Sequence, residues 1–142
     1  MSNTLLAACV LIAAQTYQVP PGVMLGIMQV EGGRPGQEVR NTNGSSDLGI
    51  MQINTVWLQA LATKWKTDPA TARRWVRDDS CVNVAVAGWI LRQRISYTGS
   101  LWGGIAGYHS LTPGIGSRYA ARVQAAMRRY NLSERMDLIA VR

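Results

Sequence analysis

The chain has 142 residues, of which 47% are hydrophobic and 16% charged, and its net charge is +7. That length and composition fit one folded domain spanning 1–142 and exclude a disordered chain. Cys9, Cys81 and His109 are its whole stock of soft metal ligands, too few for a structural zinc site, so no metal is expected. In chain order, residues 4–17 predict a helix that is apolar nearly all round and therefore central to the core. Leu6-Ala7-Ala8-Cys9 inside it resembles a lipoprotein cleavage box, but no Lys or Arg precedes it, so the segment reads as part of the mature domain. Pro20-Pro21 ends that helix, and Pro21 opens a second one that runs to Glu31 and stops at Gly32-Gly33. Residues 34–46 are rich in Gly, Pro, Asn and Ser and form a loop or short hairpin, with Asn43-Gly44 as its turn. Helical patterns then cover 54–66, 69–77, 80–97, 101–109 and 118–130, and Asp68 caps the helix that begins at Pro69. The core spans about 5–130, and 131–142 form a loosely docked tail. The five tryptophans are mostly spaced as helix-face core residues, with Trp57 near enough to the hairpin to border a site.

The expected fold is mainly α: a helical bundle around a cleft, with one small β-hairpin. Nothing is long enough to span a membrane. The glycines between Gly99 and Gly116 lack the Lys-Ser/Thr of a phosphate loop. Arg118, Arg122, Arg128, Arg129, Arg135 and Arg142 crowd the last quarter and read as a solvated helix face. A nucleic-acid binder ranks last, because no basic motif interleaved with aromatics accompanies them.

Glu31 is the only charged residue in the first 33 positions and closes the apolar run 23–30. Ionising a carboxyl there is costly, so its pKa should rise, which makes it a candidate general acid. A negative charge at a helix C-terminus is unfavourable as mere structure. Asp47 follows on the hairpin and has two readings: a second cleft carboxylate, or a turn residue bonding nearby backbone N–H groups. Gly49 permits close backbone approach, and Gln52 offers both a donor and an acceptor. Met51 suits either the cleft or the core. Tyr108 and Tyr119 offer flat apolar faces with a polar edge. His109 reads as a cleft-rim residue.

Four segments in order carry a resemblance. They are Glu31 after an apolar helix, Gly49-Ile50-Met51-Gln52, Ile105-Ala106-Gly107-Tyr108-His109, and Arg118-Tyr119-Ala120-Ala121-Arg122-Val123. Together they resemble the soluble lytic transglycosylase domain of the lysozyme superfamily, of the type associated with secretion, conjugation and pilus machines. The resemblance covers roughly residues 5–130. It departs from the family pattern at Gly32, where Ser is usual, and at His109, where Asn is usual.

The resemblance implies an α+β lysozyme-like fold and a peptidoglycan lytic transglycosylase that cleaves the MurNAc-GlcNAc β-1,4 bond and forms a 1,6-anhydro ring. It implies catalysis by Glu31 with or without Asp47, and substrate binding by Gly49, Met51, Gln52, Tyr108, His109 and Tyr119. It also implies a Cys9–Cys81 disulfide, the alternative being two buried thiols. No cofactor is implied. The expected partners are glycan strands and an envelope machine, with no nucleic acid. The protein is expected to be a monomer in the periplasm or cell envelope, with the export signal absent from this sequence. The alternatives are a hydrolytic muramidase using Glu31 and Asp47, and an inactive peptidoglycan-binding scaffold.

Overall fold

The computed structural model describes residues 2–136. Ser2 caps helix α1 (Asn3–Tyr17) by accepting a hydrogen bond from the Leu5 amide. Helix α2 (Pro21–Glu31) starts on its proline and ends at Gly32, whose φ of 61° takes the left-handed conformation of a helix C-cap. Three short strands follow: β1 (Glu38–Arg40), β2 (Ser46–Leu48) and β3 (Ile53–Asn54), antiparallel and in that order across the sheet. The expected hairpin is β1–β2, turning through Gly44 at φ 89°. A 3-10 turn (Thr55–Trp57) leads into α3 (Leu58–Trp65), α4 (Pro69–Asp78), α5 (Ser80–Thr98), α6 (Leu101–His109) and α7 (Pro113–Arg129). Asp68 caps α4 as expected, through the Thr71 amide.

Several elements differ from the sequence-based expectation. The start of the predicted helix 54–66 is strand and 3-10 turn, because the Asn54 side chain accepts from the Val56 amide and so caps a later start. Helix α7 begins five residues before Arg118. Gly114 and Gly116 lie in its first turn, and at Gly116 a Cβ would lie 2.7 Å from the Ser110 carbonyl, so this glycine serves close packing against the end of α6. Helix α1 is not central. Only Val10, Ala13 and Ala14 are buried, while Leu5, Leu11 and Ile12 are exposed; a helix apolar on every face gives no sign of which face packs. The core lies instead where α2, α5 and the sheet meet, around Met24, Ile27, Leu48, Met51, Ile53 and Ile90. None of the five tryptophans is fully buried. They pair with one another or cover the core from its edge, as in the Trp57–Trp89 edge-on contact at 5.5 Å and the Trp65–Trp75 contact at 5.7 Å. Arg118, Arg122, Arg128 and Arg129 are exposed on α7. Within the tail, Leu132 packs on the core and Trp102 Nε1 donates to Glu134 at 3.3 Å. Residues 137–142 of the predicted tail, Arg142 among them, lie outside the described residues.

Two internal ties fix the sheet against the helices. Asn83, fully buried on α5, donates from Nδ2 to the Leu48 and Val76 carbonyls at 2.8 and 2.9 Å, and its Oδ1 accepts from the Met51 amide at 2.8 Å. Arg73 and Arg77 of α4 grip Glu38 of β1 at 2.7 and 3.0 Å, and their hydrogen bonds, Arg73 foremost, hold its carboxyl down at about 2. No described helix is long and apolar enough to cross a membrane.

Cys9 of α1 and Cys81 of α5 form a disulfide, with Cα atoms 5.3 Å apart and a sequence separation of 72. A closed loop of that length contributes about 4 kcal/mol in the chain-entropy account. Reduction, or the double substitution C9S/C81S, is therefore expected to lower the urea midpoint substantially. An unchanged midpoint would show that α1 is held by packing alone.

Candidate active site

A cleft of about 560 Å³ opens between the end of α2, the sheet and the α6 C-terminus. Glu31 enters it as the last residue of α2, and Asp47 faces it from the central strand β2. The register puts Asp47 opposite Val39 on one side and Asn54 on the other. Asn54 Nδ2 donates to Asp47 Oδ1 at 3.0 Å, so the carboxylate is fixed across the sheet rather than tied to its own turn. The structure thus places both carboxylates in one cleft.

Burial pushes the Glu31 carboxyl up from 4.5 to about 7, against a hydrogen bond from Tyr119 that lowers it. The charge of Asp47 raises it further, and that of Arg122 lowers it. The residue therefore carries its proton near neutrality and can release it there. Tyr119 Oη donates to Glu31 Oε2 at 2.7 Å, and burial together with that carboxylate keeps the phenol protonated far above its ordinary range. His109 is exposed at the rim and lies flat on Tyr119, with ring centroids 4.7 Å apart and planes 10° apart. Tyr108 also stacks with Tyr119, at a centroid distance of 6.4 Å, and its hydroxyl donates to the Met51 carbonyl at 2.9 Å. Its donor is thus committed to backbone, and what it offers the cleft is its ring.

The Gly49–Gln52 segment is a tight turn with two left-handed residues, Gly49 at φ 67° and Gln52 at φ 52°. Gln52 lines the cleft and is steadied by its own Nε2 donating to the Gly49 carbonyl at 2.9 Å. Gly49 is buried, and a Cβ there would meet Asn83 Nδ2 at 2.4 Å. Gly33 packs against this turn from the α2 side, where a Cβ would lie 2.1 Å from the Gly49 carbonyl. These two glycines let the end of α2 and the turn approach each other directly. Met51 corrects the sequence reading: its side chain has no exposure and sits in the core, so only its backbone serves the site. Gly49 likewise shapes the cleft from behind without lining it.

The sequence reading passed over three contributors. Asn83 was visible as a lone polar residue in the apolar run 82–87, a pattern that marks a buried hydrogen-bonding hub. Asn54 and Arg94 carried no such local signal; they reach the cleft only through the strand register and the packing of α5 on α6.

The expected effect of Tyr119→Phe follows from the hydrogen bond. Its removal takes away the contact that lowers the Glu31 pKa, so the alkaline limb of any activity that needs protonated Glu31 should move to higher pH, with a reduced maximum. A pH–rate profile checks this, and an unshifted limb would exclude the coupling.

The chain matches the family described as Transglycosylase SLT domain over residues 8–132. It is also similar to the proteins named Invasion protein IagB from Salmonella typhimurium and Salmonella typhi. The identity is 29% over 126 residues, which is 85% of this chain and 76% of the relatives.

Proposed function

The chain belongs to the transglycosylase SLT domain family, and from that premise we propose that it is a peptidoglycan lytic transglycosylase with Glu31 as its acid and base. The observation that carries this reading is a single carboxyl raised to about 7 in a cleft and held by Tyr119. Protonated Glu31 gives its proton to the glycosidic oxygen between MurNAc and GlcNAc as the C1–O bond breaks. The resulting carboxylate takes the proton of the C6 hydroxyl, whose oxygen closes onto C1. The proton count returns to its start, a 1,6-anhydro ring forms, and no water is consumed. In this scheme Tyr119 steadies the carboxylate between the two transfers, and Asp47 stabilises positive charge at C1. Gln52, Tyr108 and His109 border the sugar, with Gly32 leaving open space beside the acid.

One observation favours a second reading. Asp47 shares the cleft with Glu31, as a water-using muramidase would require. Mass spectrometry of the products of purified peptidoglycan separates the two, because an anhydro end is lighter than a hydrolysed end by one water. Release of reducing ends alone would overturn the transglycosylase reading. Likeness to proteins named for invasion supports work at the cell envelope, opening the wall locally for a secretion, conjugation or pilus machine.

A further inference from the structure

Arg94 reaches the same cleft from α5, and it has no counter-ion there. The ion pairs among the described residues join Arg73 and Arg77 to Glu38 and Asp78. Both cleft carboxylates are engaged elsewhere, Glu31 with Tyr119 and Asp47 with Asn54. The guanidinium carbon lies 5.1 Å from the centroid of the Trp57 ring, which is itself buttressed edge-on by Trp89. The Arg94 Nε is buried without a hydrogen-bond partner. A buried donor left unpaired is costly and uncommon, and here it leaves the guanidinium seated on the Trp57 ring without a protein acceptor. The aliphatic stem runs past Gly107 of α6, where a Cβ would stand 3.5 Å from Arg94 Cδ and 3.0 Å from Leu111 Cδ2. The second distance is the tight one, so glycine at that point makes room for Leu111, with the Arg94 stem in ordinary contact beside it.

A cation seated on an aromatic face at the edge of a cleft, with donors that no protein group takes up, is suited to a planar anion. The repeating substrate offers one. Every muramyl residue carries an acid arm, either as the free lactyl carboxylate or as carboxylates of the attached peptide. We propose that Arg94, on its Trp57 platform, binds a carboxylate of the lactyl–peptide arm and so sets which sugar of the alternating strand occupies that end of the cleft. This rests on the peptidoglycan-cleaving reading above and adds a substrate group to it.

The test uses binding rather than turnover, by calorimetric titration of the Glu31→Gln protein with and without Arg94→Gln. Three probes of equal length are compared: a muramyl glycan bearing peptide, the same glycan stripped to its lactyl acid, and an N-acetylglucosamine oligomer with no acid. Arg94→Gln should weaken at least one acid-bearing probe about tenfold and leave the neutral oligomer unchanged. Which of the two responds identifies the arm's source of charge. Equal weakening on the neutral oligomer, no weakening on either acid-bearing probe, or no binding of any probe overturns the proposal. With Arg94 intact, raising the salt concentration should weaken the acid-bearing probes more than the neutral one, and equal salt dependence also overturns it. If the wild-type protein yields no anhydro ends while the Arg94 effect appears, the catalytic reading fails and this one stands. If anhydro ends appear without the Arg94 effect, the reverse holds.

Discussion

Glu31→Gln is expected to lower kcat/KM on purified peptidoglycan by about 10²- to 10⁴-fold, the range for loss of a general acid–base group, while making the fold more stable above neutral pH. Both effects have one cause. Burial moves this carboxyl from 4.5 to about 7, so between those values the folded chain keeps a proton that the unfolded chain has released. Stability therefore falls as pH rises through that window and is fully present below it. The shift corresponds to at most roughly 3 kcal/mol at 1.36 kcal/mol per pKa unit, less whatever solvent screening at the cleft mouth removes. Glutamine has no charge to expose, and its carbonyl still accepts from Tyr119. Urea unfolding of the two proteins at pH 5 and pH 8 should show a gap that opens at the higher pH. For the wild-type protein, kcat/KM should decline above about pH 7 as Glu31 loses its proton. A stability gap that does not vary with pH would mean that Glu31 is not held protonated by the fold.

Asn83→Ala should be the most damaging single change outside the cleft. It strips partners from the Met51 amide and from the Leu48 and Val76 carbonyls, all in the interior. At about 1–3 kcal/mol for each buried group left unpaired, a total loss of about 3 kcal/mol or more is expected. Activity should fall as well, because the Asn83 amide anchors the turn from which Gln52 lines the cleft. Denaturant midpoints and wall-digestion rates measure the two effects separately. A loss below about 1 kcal/mol would indicate that water takes over the three contacts.

The candidate acid was legible because of contrast: Glu31 is one charge in a long apolar stretch, and desolvation acts on such a residue whatever the surrounding fold. Proline and glycine marked the ends of α2 for equally local reasons. The order of the four motifs supplied the fold family, and the Cys9–Cys81 pairing came from that resemblance alone. What stayed hidden depended on neighbours distant in sequence. Helix α1 has apolar residues on every side, so periodicity could not say that Leu11 and Ile12 face outward. Met51 could line the cleft by its place in the motif, although a Met in an apolar run is more often core, and the structure buries it there. Arg94 looked like any helix arginine until the fold set its guanidinium over Trp57 at the cleft.

The contact between Gly33 and the Gly49 carbonyl bears on how the site should be probed genetically. An alanine scan reports what side chains contribute, and at these two positions it would add an atom rather than delete one. The result would resemble loss of a catalytic group, although neither glycine lines the cleft. Variants recovered from random mutagenesis at Gly33 or Gly49 should accordingly be scored for misplacement of Glu31 before either residue is counted among those that touch the sugar.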